Sequence, residues 1–450
     1  MPPHKINSRQ ESGTGRFQQL TGRFYQSRGH LLASITLACG YVAQIGFQMI
    51  YFLVLIRMLG PELFGRFAAA LAAIMIVSPL AGLGYGEVAL VRISERPKDA
   101  GLWGGNAIVA SAMMGLIVSV GLATCYGIFT SGEWLDWHYI LGLGLCELVI
   151  VRSCGVIARV HQASGKVNLT ALNNGLLALT KAGIAGGLYL AGFRSLGLLI
   201  VALNVGLLPL GYIFFQVLAR NAAPISCSWQ HLRREFRLAF LFATGMTSQV
   251  IYTDLDKLFL AKWTTPYVVG TYTAGYKILT LSFMPIRALL EATVARQYQL
   301  GRDDREQCLD FACKLLATAV SISSVIACGL YLLAPYATLF LGTEFQDSIG
   351  VLRIGFLLPV IQSVHCVLAN YLTAIGRQSY RTLVQMTTLV VFVVSGFIVI
   401  QQFSWTGAIY CTLASETFLA VLLGIGCIYF TWRDRVGQVS TQDDRSLVIH

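Results

Sequence analysis

The sequence contains long runs of apolar residues that are interrupted by few charged side chains. Three of them, residues 31–56, 64–91 and 108–129, each exceed the roughly 20 residues that a helix needs to cross the hydrocarbon core of a bilayer. Only 12% of the 450 residues are charged, whereas soluble domains carry roughly 25%. Because a water-soluble fold has no interior that could bury so many runs, the sequence predicts an all-α integral membrane protein.

Hydropathy divides the chain into about twelve transmembrane helices that are joined by short loops. The predicted spans are 31–56, 64–91, 103–129, 138–160, 168–190, 195–219, 236–261, 266–295, 308–333, 348–375, 380–400 and 406–430. The longest internal polar stretch follows the sixth span, so we expect two pseudo-symmetric six-helix bundles. The predicted organisation is an N-terminal tail (1–30), a first bundle (31–219), a linker (220–235), a second bundle (236–432) and a C-terminal tail (433–450).

The basic residues are distributed unevenly between the two sides of the membrane. With a cytoplasmic N-terminus, 22 of the 33 Lys and Arg lie in the tails and the even-numbered loops, including Arg377 and Arg381 after the tenth span. This asymmetry follows the positive-inside rule, so we expect both termini to be cytoplasmic. The net charge of +11 therefore orients the protein, and no nucleic-acid partner is expected.

A motif that joins an outgoing helix to a returning one occurs twice, at an offset of 205 residues. Its residues are Arg57, Gly60, Pro61 and Gly65 in the first copy and Lys262, Pro266 and Gly270 in the second. We expect the basic side chains to reach the outer interface, the prolines to start helices, and the glycines to permit a tight approach of the returning helix. The repeat is parallel because an even number of spans separates the copies.

Polar and charged residues inside spans are costly in a bilayer and tend to face a polar cavity or a partner. The offset of 205 pairs Gln44 with Gln249 in the first and seventh spans, so both spans are predicted to direct polar side chains into a central cleft. The candidates for contact with a substrate are Arg152, Lys181, Lys257, Lys277, Arg287, Gln44, Gln48, Tyr51, Gln249 and Asp256.

Ion pairs within single helices are the alternative for some of these cations. Lys257 has Asp254 at a spacing of three, and Arg287 has Glu291 at a spacing of four, where helical ion pairs form. Lys181 has no acidic residue one turn away, so it is expected to be an unpaired cation in the cleft.

The sequence shows no enzyme signature and no metal-binding pattern. Neither a phosphate-cradling loop nor an HExxH motif occurs, so no catalytic residue, cofactor or metal is expected. The eleven cysteines include no CxxC pair and are interpreted as small apolar residues. His365 is isolated in sequence and is interpreted as structural.

The first hairpin resembles a known family of membrane proteins. The run from Met58 to Phe67 and the stretch from Pro79 to Gly84 are similar to the polysaccharide transporter (oligosaccharide flippase) family, as is the stretch from Asp256 to Tyr272. This family belongs to the multidrug/oligosaccharidyl-lipid/polysaccharide exporter superfamily. The resemblance implies two six-helix bundles around a cationic cleft that carry a polyprenyl-pyrophosphate-linked oligosaccharide across the inner (cytoplasmic) membrane by alternating access. It also implies that the bilayer and a lipid-linked oligosaccharide are partners, with a polysaccharide polymerase and glycosyltransferases as further candidates.

Two other functions compete with this hypothesis. A cation-coupled drug exporter of the same superfamily would use acidic residues such as Asp254 and Asp256, and the spans hold five deep cations and five deep acids, so charge alone does not decide. A membrane-embedded glycosyltransferase or polymerase commonly carries a large catalytic loop outside the membrane. The short loops of this chain disfavour that reading.

Overall fold

The computed structural model describes residues 11–129, 136–221 and 225–447, and nearly all of this part of the chain is helical. The helices are α1 (Glu11–Gly82), α2 (Tyr85–Glu95), α3 (Ala100–Phe129), α4 (Trp137–Gly144), α5 (Arg152–Ala163), α6 (Val167–Leu190), α7 (Leu196–Asn221), α8 (Trp229–Trp263), α9 (Pro266–Ser282), α10 (Met284–Asp303), α11 (Arg305–Leu333), α12 (Ala337–Leu341), α13 (Ser348–Gly355), α14 (Leu358–Ala374) and α15 (Gln378–Leu447). A π-helical stretch, Leu145–Val151, joins α4 to α5. We call α1 to α7 the first half and α8 to α15 the second half.

The two longest helices each contain a break at which the chain changes direction. Gly60, with φ of 68° and ψ of 174°, divides α1 into two arms, and the second arm begins at Pro61. A positive φ costs glycine little, and proline pre-sets the backbone for a helix start, so the pair suits a tight reversal. In α15 the break is at Ser404, with φ of 55°.

Several helices are suited to crossing a membrane by their length and composition. Within the described ranges six helices pass this test, or up to eight when each of two bent pairs is one span. One of the six, Val42–Gly82, contains 41 residues, which is far more than the roughly 20 that one crossing needs. The chain is thus an integral membrane helical bundle, and the count of twelve spans stays a prediction.

The two copies of the repeated motif meet each other where the halves pack together. A Cβ added to Gly65 would lie 1.8 Å from the carbonyl oxygen of Pro266, and one added to Gly270 would lie 2.0 Å from that of Pro61. The contact is reciprocal, as a two-fold relation between the copies requires. The sequence predicted a tight approach within one hairpin, whereas the structure shows this approach between the halves.

Arg57 also crosses from the first half to the second. Its Nε donates a hydrogen bond to the carbonyl oxygen of Phe340 at 3.0 Å, and its Nη2 donates to that of Leu339 at 2.6 Å. Arg57 thus makes a specific contact with the end of α12, and its position at the membrane interface stays a prediction. Lys262, the corresponding residue, lies over the rings of Trp263 and Phe397 in its own half.

The main apolar core is continuous across this contact. Phe64 and Phe67 of α1 are buried, and Phe64 packs edge-on against Phe345 with 6.2 Å between ring centroids. Tyr272 of α9 is fully buried in the same core. The halves are thus held together at the end where the repeated motifs lie.

Candidate functional site

A cavity of about 910 Å³ lies between the two halves. It begins beside Phe64, near the contact between the repeated motifs, and extends to Arg381, one turn after the start of α15. Seven predicted site residues line it: Gln44, Gln48 and Tyr51 from α1, Lys181 from α6, Lys257 from α8, Lys277 from α9 and Arg287 from α10. The structure thus brings together side chains that are more than 200 residues apart in sequence.

Lys181 forms an ion pair across two helices. Its Nζ lies 2.6 Å from Oε1 of Glu147, and the two side chains are only 16% and 11% exposed. The expectation of an unpaired cation was wrong, because helical spacing relates Lys181 only to neighbouring turns of α6, and its partner Glu147 lies in another helical segment. Glu147 belongs to the π-helical stretch Leu145–Val151, a local irregularity that is frequent at functional sites.

Lys257 is held by several groups of its own helix and one neighbouring ring. Its Nζ donates hydrogen bonds to the Thr253 carbonyl oxygen at 2.7 Å and to the Asp254 carboxylate at 3.0 Å. It also lies 4.8 Å from the ring centroid of Tyr276. The structure therefore contains the ion pair with Asp254 that the spacing indicated as an alternative.

Lys277 and Arg287 face the cavity in different states of pairing. Arg287 pairs with Glu291 at 3.1 Å, and both side chains are more than 60% exposed. Within the ranges that the structure describes, the ammonium group of Lys277 has no hydrogen bond and no ion pair, and its side chain is exposed to the cavity. Lys277 is thus available to bind an anionic group.

Three predicted site residues do not contribute to the described cavity wall. Asp256 is 2% exposed and does not line the cavity; it accepts a hydrogen bond from the Tyr272 hydroxyl at 2.5 Å and lies 3.3 Å from Nζ of Lys257. The guanidinium of Arg152 packs against the backbone at Gly82, where α1 ends. The side chain of Gln249 lies outside the described residues.

The structure adds polar residues that the sequence had placed elsewhere. Arg381 lines the cavity although it was counted among the basic residues of the cytoplasmic loops, and its Nη1 donates a hydrogen bond to the Thr373 hydroxyl at 2.8 Å. His365, interpreted as structural, also lines the cavity, with its Nδ1 2.7 Å from Oε2 of Glu416. The assignment of Arg381 failed because hydropathy sets helix ends only to within a few residues. The pairing of His365 with Glu416 joins α14 to α15, so no local sequence pattern indicates it.

The charges that line the cavity are predominantly positive. The cations are Lys181, Lys257, Lys277, Arg287 and Arg381, and the acids are Glu147, Asp254 and Glu416. Five cations and three acids therefore line the cavity directly, whereas Asp256 and Glu291 pair with Lys257 and Arg287 from outside its wall. Among the described residues, no three His, Cys, Asp or Glu side chains are grouped as a metal site would require.

Comparisons with known proteins agree with this arrangement. The sequence profile of a family described as "Polysaccharide biosynthesis protein" matches residues 32–294, which is more than half of the chain. A protein of Shigella dysenteriae named "Putative O-antigen transporter" is 23% identical over 388 residues, covering 82% of this chain and 92% of that protein.

Solved structures share the fold at low sequence identity. The inward-facing conformation of a multidrug resistance MATE family transporter of the MOP superfamily superposes with a TM-score of 0.65 at 15% identity, covering 88% of this chain and 96% of the other. A MOP superfamily transporter from Pyrococcus furiosus gives a TM-score of 0.64 at 15% identity, with coverage of 91% and 96%. The helical arrangement is therefore that of MOP superfamily transporters.

Proposed function

Because the chain belongs to the polysaccharide biosynthesis protein family, we propose that it is a flippase for a polyprenyl-pyrophosphate-linked oligosaccharide in the inner membrane. It translocates the head group and sugars between leaflets for surface or exopolysaccharide assembly, while the prenyl chain stays in lipid. It makes and breaks no covalent bond in this role. The polymerase and the glycosyltransferases that act on the same lipid are its candidate partners.

The observation that carries the proposal is the set of cations lining the cavity, where Lys277 has no hydrogen bond or ion pair with any residue that the structure describes. A pyrophosphate group is anionic and must be shielded while it crosses the low-dielectric interior of the membrane. Charge-assisted hydrogen bonds from lysine and arginine provide such shielding. Gln44, Gln48 and Tyr51, which line the cavity from α1, offer hydrogen-bonding groups for the sugars.

The contact between the repeated motifs suits one end state of alternating access. The halves are packed at Gly65 and Gly270, while the cavity extends toward the other end of the molecule as far as Arg381. With both termini in the cytoplasm, as the positive-inside rule indicates, this is the inward-facing state. Rocking of the halves around the cavity would then open the outer end.

A cation-coupled exporter is supported less well by the acidic residues of the site. Asp254 is paired with Lys257, and Asp256 is buried against Tyr272 rather than placed on the cavity wall. The excess of cations favours an anionic cargo over a cationic drug.

We expect Lys277→Ala to reduce transport about 10-fold to 100-fold without loss of folded protein. A hydrogen bond to a charged group contributes about 1.5–3 kcal/mol, and among the described residues Lys277 has no partner whose charge would be left unpaired. The measurement is leaflet-resolved flipping of a polyprenyl-pyrophosphate oligosaccharide in proteoliposomes.

Lys98→Ala is the matched control, because Lys98 is exposed and does not line the cavity. Its flipping rate should equal that of the wild type. No flipping by the wild type with several glycolipids, together with ion-coupled efflux of small cations, would favour the exporter instead.

A further inference from the structure

The first turns of α8 are fixed against the first half of the protein. The Tyr85 hydroxyl donates a hydrogen bond to the carbonyl oxygen of Leu232 at 2.7 Å, and Arg92 pairs with Glu235 at 2.9 Å. The backbone N–H of Ser228 donates to Oδ1 of Asn106 at 2.7 Å. α8 begins at Trp229, ahead of the predicted span at residue 236, and this segment is rigidly oriented.

The opposite face of the same segment is exposed and combines aromatic rings with arginines. Trp229 is 71% exposed, and Phe236 and Phe240 are each 46% exposed and stack on one another with 6.1 Å between ring centroids. Arg233, Arg234 and Arg237 stand between these rings and are also exposed. In the part of the chain that the structure describes, none of the three forms an ion pair or a side-chain hydrogen bond. We call these six residues the α8 basic face.

The α8 basic face occupies the first turns of a helix that is predicted to cross the membrane from residue 236, so it lies where that helix meets the membrane surface. Trp229, Arg233, Phe236 and Phe240 follow one another at intervals of four, three and four, so they share one side of the helix. Aromatic rings are favoured at the boundary between head groups and acyl chains, where their apolar and polar parts are both accommodated. Arg233 lies on this side, Arg237 lies beside it and Arg234 lies further around the helix, and long arginine side chains at a helix end can reach the level of the phosphates.

We propose that the α8 basic face binds the head groups of anionic phospholipids in the inner leaflet. The three guanidinium groups contact lipid phosphates, and the rings of Trp229, Phe236 and Phe240 insert beside them. The inference uses the cytoplasmic placement of this end of α8, and it does not require the cargo proposed for the cavity. Charge complementarity identifies the occupant, because three unpaired cations flank exposed apolar rings.

The α8 basic face lies on the same helix as residues that line the cavity, so lipid binding at this face can affect the cavity. α8 continues without a break from the basic face to Asp254 and Lys257, which line the cavity. The beginning of the helix is attached to the first half, and its end belongs to the wall of the second. A lipid that immobilises the start of α8 therefore acts on an element shared by both halves.

The test is a measurement of lipid selectivity by the full-length protein. Purified protein is incubated with equal amounts of phosphatidylglycerol and phosphatidylcholine, and retained lipids are counted by native mass spectrometry. We expect the wild type to retain phosphatidylglycerol preferentially and R233Q/R234Q/R237Q to lose at least about tenfold of that preference. The charge-conserving variant R233K/R234K/R237K should keep most of it.

A matched control distinguishes lipid binding at the α8 basic face from a general effect of the protein's positive charge. R220Q/R302Q/R433Q removes three exposed arginines elsewhere and should leave the preference unchanged. An equal loss in this control, or an unchanged preference in R233Q/R234Q/R237Q, would overturn the proposal.

Insertion of the rings is tested separately by fluorescence quenching with phosphatidylglycerol brominated near the head group. The contribution of Trp229, obtained by subtracting Trp229→Phe from the wild type, should be strongly quenched. An unquenched Trp229 would show that the face does not enter the bilayer. Neither readout depends on flipping, so a failure of the proposed function would leave both results interpretable.

Discussion

Lys181→Ala is expected to lower the free energy of unfolding by about 3–5 kcal/mol, which is the usual cost of removing one partner from a buried ion pair. Glu147 would lose its partner at 2.6 Å in a site where its side chain is only 11% exposed. Unfolding free energy can be measured by steric trapping in detergent micelles. The same loss is expected for Glu147→Gln, which leaves Lys181 unpaired.

The double variant Glu147→Gln with Lys181→Met distinguishes this explanation from a loss of packing. It removes both charges at once, and such replacements are often neutral or stabilising, so we expect it to recover most of the stability lost in either single variant. Lys314→Ala is the control, because its pair with Asp310 is 75% and 65% exposed and should contribute less than about 1 kcal/mol. A double variant as unstable as Lys181→Ala would contradict the assignment.

This prediction changes how transport data on the two lysines should be read. Lys277→Ala removes a cation that has no partner among the described residues, whereas Lys181→Ala also leaves the Glu147 carboxyl without its partner. A loss of flipping in Lys181→Ala therefore needs comparison with the double variant. Only flipping that stays low in the stable double variant would assign Lys181 a direct contact with the cargo.

The sequence predicted the membrane class and the polar helix faces because both follow from local patterns. Apolar run length identifies crossing helices, and helical spacing places Gln44, Gln48 and Tyr51 on one side of α1. The pairing of Lys181 with Glu147 depends on the packing of two helices and on a π-helical stretch, which no local pattern specifies. The same limit applies to His365 and Glu416, which are 51 residues apart.

The repeated motif shows which features a local sequence pattern can predict and which it cannot. The offset of 205 relates Pro61 to Pro266 and Gly65 to Gly270 as corresponding residues. The partner of each glycine was misplaced, because a single hairpin contains no information about how two copies face each other. Once the two-fold relation is seen, the reciprocal contact follows from the sequence offset itself.

Gly65→Ala is expected to separate the halves at this contact and to reduce flipping by at least about tenfold. The new Cβ would lie 1.8 Å from the Pro266 carbonyl oxygen, whereas real Cβ contacts essentially never fall below 3.0 Å. The obstructing atoms belong to the backbone, so no side-chain rotation relieves the clash. Spin labels at the exposed positions Glu62 and Gln346, one in each half, should report a longer and broader distance distribution.

Gly65→Ala is expected to weaken the contact between the halves, although alanine normally stabilises a helix by about 1 kcal/mol relative to glycine. This difference makes the prediction specific to the contact. Gly329→Ala, at a helical position with no atom within 4 Å of the added Cβ, should accordingly be neutral or stabilising and transport normally. Gly270→Ala should reproduce the defect of Gly65→Ala, since its Cβ would meet the Pro61 carbonyl oxygen at 2.0 Å. The double variant should be little worse than either single one, because both lose the same close approach. Additive losses of flipping in the double variant, or an unchanged distance between the spin labels, would show that Gly65 and Gly270 do not belong to one shared contact.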